Sequence, residues 1–123
     1  MGIAKALKKA KSNCKVVAVE PSSSPILSKG IKGSHNVEGV GLGFVPNIYD
    51  DKLVDNVISI DESAARKICK DLAKKEGIFC GTSSGMNVAA AIQISKELGP
   101  KSRVVTVACD TGLKYLSEGL FDD

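Results

Sequence analysis

The sequence is poor in the residues on which many metal and catalytic sites depend. It has one histidine, no tryptophan, and four cysteines that stand apart with no C-x-x-C pair. Because zinc sites need clustered cysteine and histidine ligands, the sequence predicts no metal site. The even number of cysteines would allow disulfides, but nothing else in the chain points to secretion. We therefore expect reduced thiols in a cytoplasmic protein.

Long apolar runs are also missing. No stretch approaches the roughly 18–20 apolar residues of a membrane span, and no signal-like apolar segment follows the basic start. Aromatic residues make up only 4% of the 123 residues, and none lies among the lysines of residues 1–15. Nucleic-acid surfaces typically combine basic and aromatic side chains. We therefore expect no membrane and no nucleic-acid partner, and interpret these lysines as the solvated face of a helix.

The apolar residues that are present occur in short runs between helical patterns. Three runs are almost wholly apolar, as is typical of buried parallel strands: 14–21, 53–60 and 103–109. Three other segments carry the spacing, N-cap or C-cap signals of helices: 2–12, 61–77 and 83–99. The sequence thus predicts an α/β fold over residues 1–123, a single domain with a mainly parallel sheet flanked by helices.

Unusual sequences follow the predicted extended segments, where parallel sheets place ligand sites. "GTSSG" (81–85) matches the nucleophile elbow, but no histidine follows it, so a hydrolase triad cannot be built in the required order. We expect Ser83 or Ser84 to cap the following helix, whose N-terminus also admits a ligand. "DTG" (110–112) matches the aspartic-protease triplet, but those enzymes are all-β, and a helix N-cap with a turn is the alternative.

A long region without periodicity, residues 22–51, separates the first two predicted strands. It contains the glycine-rich stretch "GVGLGF" (39–44), which does not open a helix as a dinucleotide-binding loop would. A loop of this length inside a compact domain is usually functional or mobile. The residues alone leave open whether it is a ligand loop or a flexible surface loop.

Four segments occur together in an order and spacing that identify a family. They are "VVAVEPSSSPILS", "GSHNVEGVGLGFVP", "EGIFCGTSSGMNVAAA" and "VVTVACDTGLKYLS". The chain, from about residue 2 to 121, resembles the C-terminal part of cysteine synthase (O-acetylserine sulfhydrylase). That family has the two-domain, fold-type II pyridoxal-phosphate architecture. Cystathionine β-synthase and threonine dehydratase have the same architecture.

The resemblance implies which residues face the cofactor, pyridoxal 5′-phosphate. The hydroxyl of Thr111 would meet the pyridine nitrogen, and Gly81, Thr82 and Ser83 would lie beside the ring. The glycine loop, defined as Gly39, Val40 and Gly41, would line the substrate entrance. A neutral hydroxyl cannot protonate the ring as an aspartate would, which suits β-replacement. Cys109 stands where the family usually has proline.

The resemblance also implies what this chain does not carry. The family's Schiff-base lysine, phosphate cup and carboxylate-binding loop lie upstream of the matched region, so no catalytic residue is assigned here. We expect a fragment of an enzyme that makes L-cysteine from O-acetylserine and sulfide, inactive alone. The complete enzyme would be a homodimer, and serine acetyltransferase is a suggested partner. A cystathionine β-synthase-type enzyme, or a non-catalytic binding module kept from the fold, remains the alternative.

Overall fold

Two parallel strands lie at the centre of the fold. A computed structural model of the chain describes residues 1–122. Strand β1 (Val17–Pro21) pairs with β2 (Asn56–Ile60), with Val17 opposite Asn56 and Pro21 opposite Ile60. β-branched side chains on both strands favour this pleated geometry. The predicted parallel pairing is confirmed, and both strands begin three residues later than expected.

Helices cover most of the remaining regular structure. The α-helices are α1 (Gly2–Lys9), α2 (Ile26–Lys29), α3 (Glu62–Asp71) and α4 (Thr82–Leu98). A π-helical turn (Leu72–Glu76) extends α3, and short 3₁₀ helices occupy Asp51–Leu53 and Gly112–Glu118. The three predicted helices are therefore confirmed with small shifts of their ends, and the α/β class with them.

Helix α3 begins and ends at the residues that the sequence indicates. The Asp61 carboxylate caps its N-terminus by accepting from the Ser63 N–H at 2.8 Å. After the π-helical turn the chain leaves the helical path at Gly77, whose φ of 67° suits glycine. Local side-chain chemistry thus determines both ends of this element.

The main core lies between the strand pair and the helices α3 and α4, which make the most extensive contact in the fold. Its buried members are aliphatic or sulfur-containing side chains: Val37, Ile58, Ile60, Ala65, Met86 and Ala90. A second cluster lies at the start of α4 and consists of Cys69, Cys80, Tyr115 and Leu120. This second cluster supports the candidate site described below.

A buried carboxylate organises the chain after β1. Glu20 is 3% exposed and accepts hydrogen bonds from the backbone N–H groups of Leu27 and Ser28, at 2.7 and 3.3 Å. The hydroxyls of Ser28 and Ser59 also donate to it. These donors satisfy the buried charge and tie α2 to both strands.

The prediction of a buried strand over 103–109 is wrong. These residues form no strand, and Val105 is 84% exposed. A strand needs a neighbour to take its ladder hydrogen bonds, and in residues 1–122 this segment does not pair with the sheet formed by β1 and β2. The segment instead runs beside α4, where the Asn87 side chain donates to the Val107 carbonyl at 3.1 Å.

Helix α1 forms as predicted, but of the apolar residues Ile3, Ala6 and Leu7, which lie on one face of it, only Leu7 is half-buried. Ile3 is 68% exposed, and Ala4 is its one buried residue. Most of this apolar face is therefore uncovered by the residues that the structure describes, and the lysines of α1 are exposed as expected. None of the helices in residues 1–122 has both the length and the apolar character that a bilayer crossing requires.

Candidate cofactor site

The two motifs "GTSSG" and "DTG" meet in space. Cys80 and Thr111 form an antiparallel bridge, and the Gly112 N–H donates to the Phe79 carbonyl at 3.1 Å. This contact places the start of α4 beside the turn Asp110–Thr111–Gly112, which we call the D-T-G turn. Four predicted cofactor residues, Gly81, Thr82, Ser83 and Thr111, therefore come from two adjacent segments.

Close packing explains both glycines of "GTSSG". A Cβ on Gly81 would overlap Asp110 Oδ1 and the Tyr115 ring. A Cβ on Gly85 would overlap the Ala65 carbonyl oxygen and the Cys69 sulfur, where α4 crosses α3. The spacing that resembles a nucleophile elbow thus follows from two tight contacts.

The start of α4 has no side-chain cap. Gly81 is the N-cap residue, so the prediction that Ser83 or Ser84 caps the helix is wrong. The Ser84 hydroxyl instead accepts from the Cys109 N–H at 2.8 Å, which fastens the D-T-G segment to α4. The N-terminus of this 17-residue helix, which is the positive end of its dipole, lies beside the D-T-G turn. No side chain caps its first amides, so these N–H groups are available as donors at the candidate site.

Asp110 and Thr111 are adjacent in sequence but have opposite environments. Asp110 Oδ2 accepts from the Tyr115 hydroxyl at 2.6 Å, while its buried Oδ1 has no hydrogen-bond partner in residues 1–122. Thr111 is exposed, and its Oγ1 accepts from the Leu113 N–H at 3.3 Å to begin the 3₁₀ helix. The alternative interpretation of "DTG" as a helix N-cap with a turn is thus correct for Thr111. Capping uses a lone pair of the Thr111 oxygen, so the hydroxyl proton stays available for an acceptor.

The groups behind the site are held in their neutral forms. Burial, reinforced by the hydrogen bond to Asp110, raises the pKa of Tyr115. Burial also raises the pKa of the Cys69 thiol to about 11 and raises the pKa of Cys80. Raised thiol pKa values oppose thiolate formation, so Cys69 and Cys80 pack as apolar groups and do not act as nucleophiles.

The glycine loop lies in a different cavity from the two motifs. Gly39, Val40 and Gly41 line a space of about 250 Å³ together with β1 and the aromatic side chains of Phe44 and Tyr49. Positive φ angles of 76° at Gly39 and 56° at Gly41 shape the loop. Nothing in residues 1–122 places these three residues against Gly81 or Thr111, and their substrate role stays a prediction.

His35 holds this loop rather than any catalytic group. Its Nε2 is 2.9 Å from the Gly41 carbonyl oxygen, and its Nδ1 accepts from the Val37 N–H at 3.2 Å. His35 thereby links Gly41, the last residue of the glycine loop, to Val37, which packs in the core. In the described part of the chain, no three His, Cys, Asp or Glu side chains converge on a possible metal position.

Sequence reasoning missed the side chains that support the site. Asp110 and Tyr115 both lie in recognised motifs, but their separation of five residues matches neither a strand nor an α-helix period. Cys69 and Cys80 are distant in sequence and come together only through the packing of α3 against α4. The one signal in the sequence for the Asp110–Tyr115 contact was Thr111 as a helix cap, because a short helix that begins after Thr111 turns Tyr115 back toward Asp110.

Comparison with known proteins places this geometry in one family. A family model described as pyridoxal-phosphate dependent enzyme matches residues 1–110. A cysteine synthase of Staphylococcus aureus is 44% identical over 99% of this chain. Among solved structures, cysteine synthase from Entamoeba histolytica superposes on 99% of the chain with a TM-score of 0.91 at 35% identity. An O-acetylserine dependent cystathionine β-synthase from Helicobacter pylori covers 98% of it, with a TM-score of 0.89 at 33% identity.

The match is extensive for this chain and partial for its relatives. The chain spans 40% of the S. aureus cysteine synthase, 36% of the E. histolytica structure and 39% of the H. pylori structure. The predicted resemblance is confirmed, and the fold is that of part of a fold-type II enzyme. The chain belongs to the pyridoxal-phosphate dependent enzyme family.

Proposed function

We propose that this chain is part of a cysteine synthase, which makes L-cysteine from an activated serine such as O-acetylserine and sulfide. The similarity to the S. aureus cysteine synthase over nearly the whole chain supports this activity. Because the chain spans only 40% of that relative, the proposal concerns the enzyme of which these residues form one wall. These residues alone are expected to be inactive.

The exposed hydroxyl of Thr111 is the observation that carries the proposal. Its proton is free to donate, whereas the neighbouring Asp110 carboxylate is turned inward onto Tyr115. A pyridine nitrogen without a proton is a hydrogen-bond acceptor, so the Thr111 hydroxyl fits pyridoxal phosphate. When bound, the cofactor supplies an electron sink for bond cleavage at the amino acid. A neutral partner keeps that sink mild, which suits β-replacement.

The start of α4 would form the wall beside the cofactor ring. Gly81 presents no side chain there, and Thr82 and Ser83 are buried, at 2% and 8% exposure. Their uncapped amides offer donors to polar or anionic substituents of the ring. The proposed role of these three residues is therefore to bind and orient the cofactor, and that of the glycine loop is to exclude water over the substrate.

Reconstitution with a complementary polypeptide tests the proposal. The chain would be coexpressed with the part of the S. aureus relative that it does not match, and cofactor absorbance would be recorded. Cysteine formation from O-acetylserine and sulfide would be followed by mass spectrometry. Absence of both a cofactor spectrum and cysteine, from a complex shown to assemble, would contradict the proposal.

Substitutions at Thr111 test its role directly. Thr111→Ser keeps the hydroxyl and is expected to retain the cofactor spectrum and turnover. Thr111→Asp introduces a carboxylate that favours a protonated pyridine, so the spectrum should shift and turnover should fall. Thr106→Asp, at an exposed position three residues before Cys109, is the matched control. An unchanged spectrum with full turnover in Thr111→Asp would refute the assignment.

A cystathionine β-synthase-type reaction is the second candidate, because the H. pylori structure superposes nearly as well. Supplying homocysteine in place of sulfide in the same assay would separate the two reactions. A homodimer of the complete enzyme, a cytoplasmic location and serine acetyltransferase as partner belong to the same proposal. A module that assembles and binds cofactor without turning over either substrate pair would favour the non-catalytic alternative.

A further inference from the structure

The outer edge of β1 has no strand beside it among the described residues. The sheet in residues 1–122 has two strands, so β1 is paired on one side only. Ser22, directly after β1, donates its N–H to the Ile60 carbonyl of β2 at 2.9 Å. Successive strand residues direct their backbone groups to alternate sides, so Val17 and Val19 present their N–H and C=O groups at the open edge.

A slot of about 350 Å³ runs along this open edge. Its floor is the face of α4 that carries Ala90 and Ile94, one wall is formed by Val17 and Val19, and residues 103–106 form the opposite wall. We call this space the strand slot. It is bounded by an unpaired strand edge, an apolar helix face and a segment with strand propensity, and it is separate from the cavity of the glycine loop.

The opposite wall is fastened to α4 at one end. The Ser84 hydroxyl accepts from the Cys109 N–H at 2.8 Å, and the Asn87 side chain donates to the Val107 carbonyl at 3.1 Å. Further from these bonds, Val105 is 84% exposed. β-branched residues favour a pleated sheet. The segment is therefore held beside the strand slot, while its β-branched side chains are uncovered by residues 1–122.

We propose that the strand slot binds one extended, apolar segment of the complementary part of the enzyme, which inserts between β1 and residues 103–107 and completes a continuous sheet. The chain spans 40% of the S. aureus cysteine synthase, so an enzyme of that length has ample further chain to supply this strand. The choice of this partner rests on the proposed function. Strands with two neighbours and a covered face are typically continuous apolar runs.

The geometry of β1 limits the length of the inserted strand. β1 has five residues, and it ends at Pro21, which has no N–H to donate. The new ladder therefore uses the backbone groups of Val17 and Val19, and the inserted strand needs about five residues to match β1. Pairing of two copies through their β1 edges is disfavoured, because residues 103–106 stand beside that edge in each copy.

The inserted strand also bears on the candidate cofactor site. Residues 103–109 lead directly into the D-T-G turn, which presents Thr111. Pairing along residues 103–107 would fix the segment on the side of the strand slot, in addition to the bond from Cys109 to Ser84. Docking of the complementary part would therefore steady the hydroxyl that is proposed to face the cofactor.

Hydrogen exchange in the coexpressed complex tests this docking residue by residue. The Val17 and Val19 amides should exchange more slowly in the complex than in the free chain, because the inserted strand accepts from them. Ala18, which already pairs toward β2, should change little. This alternation is the signature of strand pairing. Unchanged exchange at both Val17 and Val19 in the assembled complex would overturn the proposal.

A charge in the strand slot provides a second test. Val105→Asp should weaken association with the complementary polypeptide about tenfold or more, since the inserted strand would bury a carboxylate without a partner. Ile31→Asp is the matched control, because Ile31 is a β-branched residue that is 55% exposed and lies outside the slot. Circular dichroism would verify that both variants are folded. Equal affinities of the two variants would overturn the proposal.

Other occupants and other failures give different results. Sedimentation that finds a dimer of the free chain, with Val17 and Val19 protected in it, would assign the strand slot to a second copy and overturn the proposal. If the complementary polypeptide does not fold, overlapping synthetic peptides of the S. aureus sequence replace it, and protection by none of them is equally adverse. A complex with alternating protection but without a cofactor spectrum or cysteine formation would contradict the proposed function and support the docking.

Discussion

Replacing Gly85 with alanine should destabilise the fold where α3 and α4 cross. The new Cβ would overlap the Ala65 carbonyl oxygen and the Cys69 sulfur. Overpacking of this kind costs about 1–3 kcal/mol, and a backbone oxygen cannot rotate away, so we take the upper end. The higher helix propensity of alanine offsets about 1 kcal/mol. The net loss is about 2 kcal/mol, or a factor of about 30 in the folded-to-unfolded ratio.

Urea unfolding of the chain measures this loss. With a slope of about 1–3 kcal/mol per molar, the midpoint should fall by about 0.7–2 M. Gly2→Ala is the matched control, because a Cβ there meets no atom within 4 Å and α1 should gain helix propensity. A Gly85→Ala protein as stable as the parent would show that α3 yields easily, and would refute the claim that close helix packing requires this glycine.

Two further predictions follow from the caps and the thiols. Asp61→Ala removes the N-cap of α3 and should lower the urea midpoint at pH 7 by less than Gly85→Ala does. Hydrogen bonds from the Ser63 side chain and backbone lower the pKa of Asp61, so its contribution is present above the unfolded pKa of about 4 and lost as pH falls through the lower folded value. Equal midpoint differences at pH 7 and pH 2 would contradict this. The exposed Cys14 and Cys109 should be alkylated before the buried Cys69 and Cys80; peptide mapping that finds Cys69 modified first would refute the packing described.

Local patterns in the sequence predict much of the fold correctly. The N-cap at Asp61, the stop at Gly77 and the break after Leu98 depend on residues that are neighbours in the chain. The apolar runs that form β1 and β2 likewise carry their own signal. These features were predictable because short-range hydrogen bonds and periodicity decide them.

The resemblance to the family was also readable from the sequence, because four motifs in register are specific even where each one is loose. It led to the confirmed family membership and to the assignment of Thr111 as a candidate. It did not indicate that Asp110 turns inward, since the preference of that carboxylate for Tyr115 depends on a buried phenol brought by the 3₁₀ helix.

The sequence by itself determined the capped start of α3 and the glycine stops after α3 and α4, which runs favour strands, and the family to which the chain belongs. Tertiary structure decided which of those runs is buried. The β-branched segment 103–109 has strand propensity, yet Val105 is exposed because the segment does not pair with either strand of the described sheet. Tertiary structure also decided that Ser84 binds the Cys109 N–H and does not cap α4. The physical reason is the same in both cases: a strand or a polar side chain takes its final role from the partner that packing places beside it.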